Sequence, residues 1–498
     1  MKLQAILDSI ECAGNKLPNP AMMFVYLCIF VLVVSAVCAG LAVQVNHPVS
    51  GDVIAAVNLL SVAGLHRILT ETVTNFTGFA PVGSVLIAIM GVGIAEHSGL
   101  LSTLLRVTIL NMPRKLLSFG VVFAGVMSSM AMDTGYVVLI PLAGLMFASV
   151  GRHPVAGIAA AFAGVSGGFS ANLLITPLDA ILGGISTEAA ALVQPGYQVS
   201  AAGNYYFMAV STLLLSVVGT WITETIICRR LPDATQAPES LTGISAADKK
   251  GLQAVGAFSV MFVLLLLGAL LPESGILRDP QTGAVLTSPF IKGIVTVIAF
   301  YAAITGVIFG RVSGRYQQTS EFVDGMEKHM AAMAAYLVLM FFAAQFVSYF
   351  SWSNLGSILA INGASLLEVF QLNSIVLLLG FIILVSVLDL FIGSASGKWA
   401  LIAPVFVPMF LLSGITPEAT QVAYRIGDST ANIITPLMPY FGMVVAFARQ
   451  HDKNAGIGTV IAMMLPYSIG FLLIWSAMLV VWMLLDWPLG PGVGVFTG

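Results

Sequence analysis

Six ionisable side chains lie inside long apolar stretches, where burying a charge is costly and usually marks a functional position. They are Asp133, Asp179, Asp389, Lys398, Arg425 and Asp428. Arg425 precedes Asp428 by three residues, so the two side chains can pair on a helix. The planar guanidinium could instead bind a substrate carboxylate. The alternative is a structural role, in which Asp428 or Asp389 neutralises Arg425.

Two asparagines precede prolines within nearly the same short sequence. Residues 170–178 read SANLLITPL and residues 430–437 read TANIITPL. Proline removes a backbone donor and clashes with the preceding turn, so Pro177 and Pro436 should open their helices just after Asn172 and Asn432. The freed carbonyls and the Asn oxygens would be hard ligands suited to Na⁺. The alternative for each break is a packing kink.

The sequence allows more than one role for Lys398, Trp399 and Asp179. Lys398 could lie at membrane depth, or its long side chain could extend to the outer surface. Trp399 could stack on a substrate ring or belong to the packing. Asp179 follows the first break by two residues, and Asp428 lies one turn before Asn432, so both can face a cavity at the breaks.

The composition fixes the class of protein that must position these residues. Of the 498 residues, 58% are hydrophobic and 9% are charged, and the mean hydropathy is +0.98. A soluble domain has about 25% charged residues, so a soluble enzyme and a nucleic-acid binder are both unlikely on composition. We expect an all-α polytopic membrane protein. Its cysteines show no disulfide or metal-ligand spacing, and it has no nucleotide-binding P-loop.

The apolar runs predict nine spanning helices and two re-entrant hairpins. Seven runs are long enough to cross about 30 Å of hydrocarbon, near residues 20–43, 79–99, 206–227, 254–272, 290–310, 330–351 and 458–485. Two segments, 155–186 and 417–448, are interpreted as discontinuous spanning helices. The hairpins are 116–150 and 374–412, interrupted at 131–135 and 393–398, and their alternative is a pair of tilted full spans.

The positive charges orient this topology. With a cytoplasmic N-terminus, the inside loops hold fifteen of the 20 Lys and Arg residues and the outside loops hold Arg67, Arg278 and Lys292. This positive-inside bias predicts a periplasmic C-terminus. The charged segment 229–253 is predicted to be a cytoplasmic linker between two halves, 1–228 and 254–498.

Each half has the same order of elements: spanning helix, hairpin, broken helix, spanning helix. By the charge distribution, the chain enters the first hairpin from the cytoplasm and the second hairpin from outside. The repeats are therefore predicted to be inverted. Inverted repeats with discontinuous helices are typical of secondary transporters, whose site lies at the midplane between the repeats. A channel is the transport alternative. An intramembrane protease at Ser166 would need a histidine at membrane depth, and all six fall in loops or at helix ends.

Several long motifs resemble the p-aminobenzoyl-glutamate transporter (AbgT) family. They cover residues 91–100, 151–179, 289–293 and 393–439, and the likeness runs from residues 14–18 to 490–492. The resemblance implies a homodimeric inner-membrane protein that is not an enzyme, with nine helices and two hairpins per subunit. It implies p-aminobenzoyl-glutamate or a related aromatic carboxylate as substrate, carried with a coupling cation. The alternative is proton-driven export of p-aminobenzoate-like antimetabolites, the sulfonamides.

The resemblance also assigns residues. Its functional positions fall on Asp179, Trp399, Pro417, Arg425, Asp428 and Pro436, and the hairpin residues Ser129 and Ser396 join them as candidate substrate contacts. Its second-repeat sodium site would use residue 389, Gly393, Asp428 and Asn432, with Asn172 a candidate in the first repeat. Asn is expected at the first of these positions, whereas this chain has Asp389. That carboxylate leaves Na⁺ and H⁺ coupling both open, and no other cofactor is expected.

Overall fold

A computed structural model describes residues 20–46, 51–110, 113–131, 135–231, 244–285, 288–318, 320–369, 371–435, 438, 440–453 and 455–497, and helices dominate them. The N-terminal elements are α1 Pro20–Gly40, β1 Gln44–Asn46, β2 Val53–Ala55, α2 Val62–Thr77, α3 Ala80–His97 and α4 Leu100–Leu110. The antiparallel pair of β1 and β2 departs from the all-α prediction, because a loop outside the apolar runs can pair its backbone. The chain bends by 64° between α3 and α4, where Gly99 has a φ of +79°.

The segment predicted to be the first repeat is interrupted in its broken helix, and residues 132–134 of the interruption predicted in its hairpin lie outside the described residues. Helix α5, Leu117–Met127, ends in a 3₁₀ turn at Ser128–Ala131, and a π-helical turn at Gly135–Leu139 leads into α6, Ile140–Ser149. Helix α7, Pro154–Phe162, ends in a π-helical turn at Ala163–Gly167, and α8, Pro177–Ala190, resumes after the predicted break. The repeat closes with α9, Tyr205–Ile222, a π-helical turn at Thr223–Ile227 and α10, Cys228–Arg230.

The segment between the repeats carries helices at the predicted apolar runs 254–272, 290–310 and 330–351, and two more that no run predicted, over 321–332 and 355–369. The elements are α11 Ala246–Leu270, α12 Pro289–Lys292, α13 Ile294–Val312, α14 Glu321–Ala332, α15 Ala334–Trp352 and α16 Leu355–Val369. Helix α11 begins inside the predicted linker because the Ser245 hydroxyl caps it by accepting from the Asp248 N–H. Helix α14 carries acidic residues in its first turn and His329 in its last turn, which suits the helix dipole.

The second repeat has the same order of breaks. Helix α17, Ser374–Asp389, is followed by α18, Ala395–Leu412, and α19, Pro417–Ala431, is followed after a break by α20, Phe441–His451. Helix α21, Ile457–Leu484, ends the helical part. In each repeat the hairpin segment packs against its own broken helix.

The described residues include seven helices long and apolar enough to span a membrane, or eight if α3 and α4 form one bent span. The chain is therefore a multi-pass membrane protein. The prediction of nine spans and two hairpins depends on the membrane depth of shorter segments and stays a prediction. Helix α11 exposes much of its apolar surface, and Leu264 and Leu265 are each 63% exposed.

The two predicted repeats interlock around the protein core. Helix α18 of the second repeat packs along α8 of the first, and α19 contacts both α8 and the π-helical turn at Ala163–Gly167. All fifteen residues of α19 are buried. Because α19 carries Arg425 and Asp428, the fold places these two charged residues at the contact between the repeats.

Candidate functional site

A cavity of about 250 Å³ lies where the helix interruptions of both repeats meet. Its lining comes from the first hairpin, both broken helices and the second hairpin: Ser129, Tyr136, Phe169, Pro177, Leu178, Ile181, Gly393, Ala395, Asn432, Met438 and Tyr440. The rings of Tyr136 and Tyr440 stack with centroids 4.4 Å apart. The volume approaches the range of small-molecule sites, about 300–1,000 Å³.

Asn172 fastens the first break to the first hairpin. Its Nδ2 donates to Ser129 Oγ at 2.8 Å, and its Oδ1 accepts from the Leu174 N–H at 2.9 Å. Both ends of the predicted sodium ligand therefore have partners within the first repeat. Ser129 lines the cavity and contributes a neutral polar group to it. Its bond to Asn172 holds it there.

Arg425 joins the two repeats through an ion pair with Asp179. Arg425 Nη2 lies 2.7 Å from Asp179 Oδ1, and Asp179 Oδ2 accepts from both the N–H and the hydroxyl of Thr176 at the start of α8. The interpretation that Asp428 or Asp389 neutralises Arg425 was wrong. The partner comes from the other repeat, which no spacing along α19 could show.

Gln421, which the sequence analysis missed, connects Arg425 to its surroundings. Its Oε1 accepts from Arg425 Nη2 at 3.0 Å and from Asn204 Nδ2 at 2.6 Å, while its Nε2 donates to Ser186 Oγ at 3.0 Å. A signal was available in the sequence. Polar residues recur along α19 and at its C-cap every three or four positions, which places them on one helical face: Glu418, Gln421, Arg425, Asp428 and Asn432.

Lys398 lies between two carboxylates, that of Asp389 at the end of α17 and that of Asp428 on α19. Its Nζ is 2.8 Å from Asp428 Oδ1 and also bonds Asp389 Oδ1, while Tyr424 OH donates to Asp428 Oδ1 at 3.1 Å. The alternative that Lys398 extends to the outer surface was wrong, because its side chain is fully buried. Asp389 Oδ2 and Asp428 Oδ2 are also buried, and neither has a hydrogen-bond partner among the described residues.

The four residues of the predicted sodium site divide into two pairs. Gly393 and Asn432 line the cavity, whereas Asp389 and Asp428 bond Lys398. At the end of α19, the Asn432 N–H donates to the Asp428 carbonyl at 3.2 Å. Asp389 is four residues before Gly393, and Asp428 is four residues before Asn432. Only the second residue of each of these steps lines the cavity.

Trp399 is not among the residues that line the cavity. It is fully buried, its ring centroid is 4.5 Å from that of Tyr424, and its Nε1 donates to Ser186 Oγ at 3.1 Å and Leu182 O at 3.2 Å. The side chain therefore belongs to the packing in this conformation. Through Ser186 it shares a hydrogen-bond network with Gln421.

The remaining predicted positions lie at element ends or outside the described residues. Pro417 is the first residue of α19, where its missing N–H costs nothing, and Thr416 caps the helix. Ser396 is half-buried in the first turn of α18. Asp133 and Pro436 lie outside the described residues.

The whole chain matches a known family. The profile of the AbgT putative transporter family matches residues 5–497. The chain belongs to the AbgT transporter family. It is 38% identical over 485 residues to the p-aminobenzoyl-glutamate transport protein of Escherichia coli K12, covering 97% of this chain and 96% of that one.

Two solved transporter structures have the same fold. The Alcanivorax borkumensis YdaH transporter, described as having an unusual topology, superposes with a TM-score of 0.92 at 49% identity, over 95% of this chain and all of that one. Neisseria gonorrhoeae MtrF, described as illuminating a class of antimetabolite efflux pumps, superposes with a TM-score of 0.92 at 44% identity, over 98% of this chain and all of that one.

Membership of the AbgT family confirms that the chain is a transporter-family protein and not an enzyme. The protease alternative also loses its chemistry in the structure. Ser166 is fully buried and its hydroxyl contacts the Met438 sulfur at 3.1 Å. A nucleophilic serine needs a base within hydrogen-bond reach, and a thioether cannot take its proton.

Proposed function

We propose that this chain is a secondary transporter that carries p-aminobenzoyl-glutamate, or a related aromatic carboxylate, across the inner membrane by alternating access. The observation that carries the proposal is the cavity walled by the interruptions of both repeats. A site at that contact can open to either side when one repeat moves against the other. The E. coli relative named for this substrate aligns over nearly the whole chain.

Substrate recognition is assigned to Arg425 and to the aromatic lining. Arg425 is 1% exposed, and Asp179 neutralises it from the opposite repeat. A substrate carboxylate can exchange for Asp179 because both are planar anions that match the guanidinium fork. The benzoyl ring would contact Tyr136 and Tyr440, which line the cavity, whereas Trp399 does not line it in this conformation.

The transport is proposed to be driven by a cation, Na⁺ or H⁺. Each cation moved down about 100 mV contributes about 2.3 kcal/mol, or roughly fiftyfold accumulation. The p-aminobenzoyl-glutamate dianion cancels the charge of two cations, which leaves only their concentration gradient as the driving force. The proposal includes a homodimer with nine spans and two hairpins per subunit, a cytoplasmic N-terminus and a periplasmic C-terminus.

Uptake into proteoliposomes tests this function. Labelled p-aminobenzoyl-glutamate is offered with a Na⁺ gradient, a proton gradient, both or neither. We expect saturable uptake that one of the gradients drives above equilibrium. Uptake that ignores both gradients would eliminate coupling, and a current that rises linearly with voltage would indicate a channel.

Export of p-aminobenzoate-like antimetabolites is the second candidate function. It is favoured by the likeness to MtrF, which belongs to a class of antimetabolite efflux pumps. Expression of the wild-type chain should then raise sulfonamide tolerance, and the Asp428→Ala variant should not. Equal tolerance in cells with and without the chain would count against export.

A further inference from the structure

The carboxylates at the second break surround an ammonium group. Lys398 Nζ bonds one oxygen of Asp389 and one oxygen of Asp428, and it lies 5.9 Å from the centroid of the Tyr424 ring. All three charged side chains are fully or almost fully buried. The oxygens expected to hold Na⁺ therefore already hold a cation that belongs to the protein, so the residues present do not fit a Na⁺ cage.

We propose that the Lys398 ammonium is a tethered cation that fills the second-repeat cation site, so that this chain does not bind Na⁺ there. A free Na⁺ would have to displace a group that is held beside the site by α18. An attached group competes at an effective concentration in the millimolar range or higher. Displacing it would also leave a lysine charge buried without a partner, which costs several kcal/mol in general.

The residue at position 389 explains why the ammonium fits. The family resemblance implies Asn there, and an amide oxygen with one carboxylate suits a mobile cation. Asp389 adds a second carboxylate, and the cluster of two Asp and one Lys has a formal charge of −1. Asp389 Oδ2 and Asp428 Oδ2 have no hydrogen-bond partner in the part of the chain that the structure describes, which is an independent sign that these carboxylates form a cation site.

This arrangement makes a reciprocal prediction about the empty site. Removing the ammonium while keeping its volume, as in Lys398→Met, leaves carboxylate oxygens facing each other with no cation between them. Oxygen-only sets of this kind bind hard cations. The double variant Asp389→Asn with Lys398→Met has the same formal charge as the wild type and restores the expected Asn, so it should bind Na⁺ without repulsion between carboxylates.

The experiment is a Na⁺ titration of thermal unfolding on the purified full-length chain. Choline replaces Na⁺ at fixed pH and ionic strength. The wild type should show no saturable change in Tm. Both variants should gain about 2–3 °C when Na⁺ is present at 100 times its Kd. Lys115→Met, which removes an exposed lysine, serves as the matched control and should behave like the wild type.

Two results would overturn the proposal. One is a saturable rise in Tm of the wild type with Na⁺. The other is a folded Lys398→Met or double variant whose Tm ignores Na⁺, and the double variant decides the matter if the single variant does not fold. The inference rests on the proposed function only in treating this site as a coupling site. Substrate exchange measured on the same samples separates failure of that function from failure of the Na⁺ prediction.

Discussion

The helix breaks of the two repeats share a sequence and differ in chemistry. At the first break, Asn172 bonds Ser129 and the Leu174 backbone, so that polar contact is neutral. At the second, Asn432 lines the cavity beside the buried cluster of Asp389, Lys398 and Asp428. In the first repeat, the Asn of the Asn-to-Pro motif therefore makes local hydrogen bonds to the hairpin and the backbone. In the second repeat, the Asn of the same motif lies next to a charged site. The Arg425–Asp179 pair joins the two regions.

The largest effect is expected from breaking the connection between the repeats. In Asp179→Asn, Arg425 keeps its charge and loses its ionic partner, while the Thr176 contacts can persist in part. Loss of one partner from a buried pair costs about 3–5 kcal/mol. The Tm of the variant and its rate of substrate exchange should both fall sharply.

Asp248→Asn is the matched control for that loss. It removes an ion pair with Arg315 at 2.9 Å, where the Arg315 side chain is 40% exposed. Exposed pairs contribute about 0–1 kcal/mol. Equal loss of stability in the two variants would contradict a special role for the pair between the repeats.

The next effect tests whether Gln421 positions Arg425. Gln421→Ala removes the acceptor for Arg425 and Asn204 and the donor to Ser186. Leaving buried donors without acceptors costs about 1–3 kcal/mol. Because the side chain acts through Arg425, the KM for substrate should rise at least about fivefold, with a smaller change in kcat. A lower Tm with an unchanged KM would leave Gln421 with a structural role only.

Substituting the two asparagines tests the comparison itself. Asn172→Ala should destabilise the protein by about 1 kcal/mol, since it removes one side-chain bond to Ser129 and one to the backbone. Asn432→Ala should act mainly on substrate affinity, because that side chain faces the cavity. The free energy of unfolding and the substrate affinity are measured for both variants. If the two variants changed both quantities equally, the two breaks would have the same role.

The smallest effect lies outside both repeats. His329 Nε2 is 3.1 Å from Glu96 Oε2, and the hydrogen bond to Glu96 raises the pKa of His329 above its usual value although burial opposes it. A raised pKa stabilises the fold below the unfolded value of about 6.5, and this contribution is lost as the pH rises through the folded value. His329→Gln should therefore lower Tm more at pH 6 than at pH 9, and the loss in the free energy of unfolding should be less than about 1 kcal/mol. The reverse order would exclude a protonated pair.

Local signals in the sequence located the breaks well and the long-range partners poorly. The last apolar run, 458–485, became Ile457–Leu484, and proline marked the breaks beside Asn172 and Asn432. These features depend on hydropathy and backbone chemistry within a few residues. Helices α2 and α14 were missed because amphipathic segments at the surface lack a long apolar run. The partner of Arg425 was missed because Asp179 lies in the other repeat.

The sequence also carried a clue at Lys398 that periodicity alone could not resolve. Asp389 and Lys398 are nine residues apart, on either side of the interruption, so their contact depends on how the turn at Gly393 folds back. Membrane depth predicted that both charges mattered. Only the fold showed that they neutralise each other, and that Asp428 belongs to Lys398 and not to Arg425.

Counterflow in proteoliposomes tests the central claim most directly, because it needs no gradient and reports alternating access at the cavity. Vesicles preloaded with unlabelled p-aminobenzoyl-glutamate, p-aminobenzoate or a sulfonamide are diluted into labelled substrate, with Na⁺ and pH varied separately. The account predicts saturable exchange of at least one aromatic carboxylate by the wild type, lost in Arg425→Ala and kept in Lys115→Met. Absence of exchange with every substrate by folded wild-type protein, or full exchange by Arg425→Ala, would contradict it.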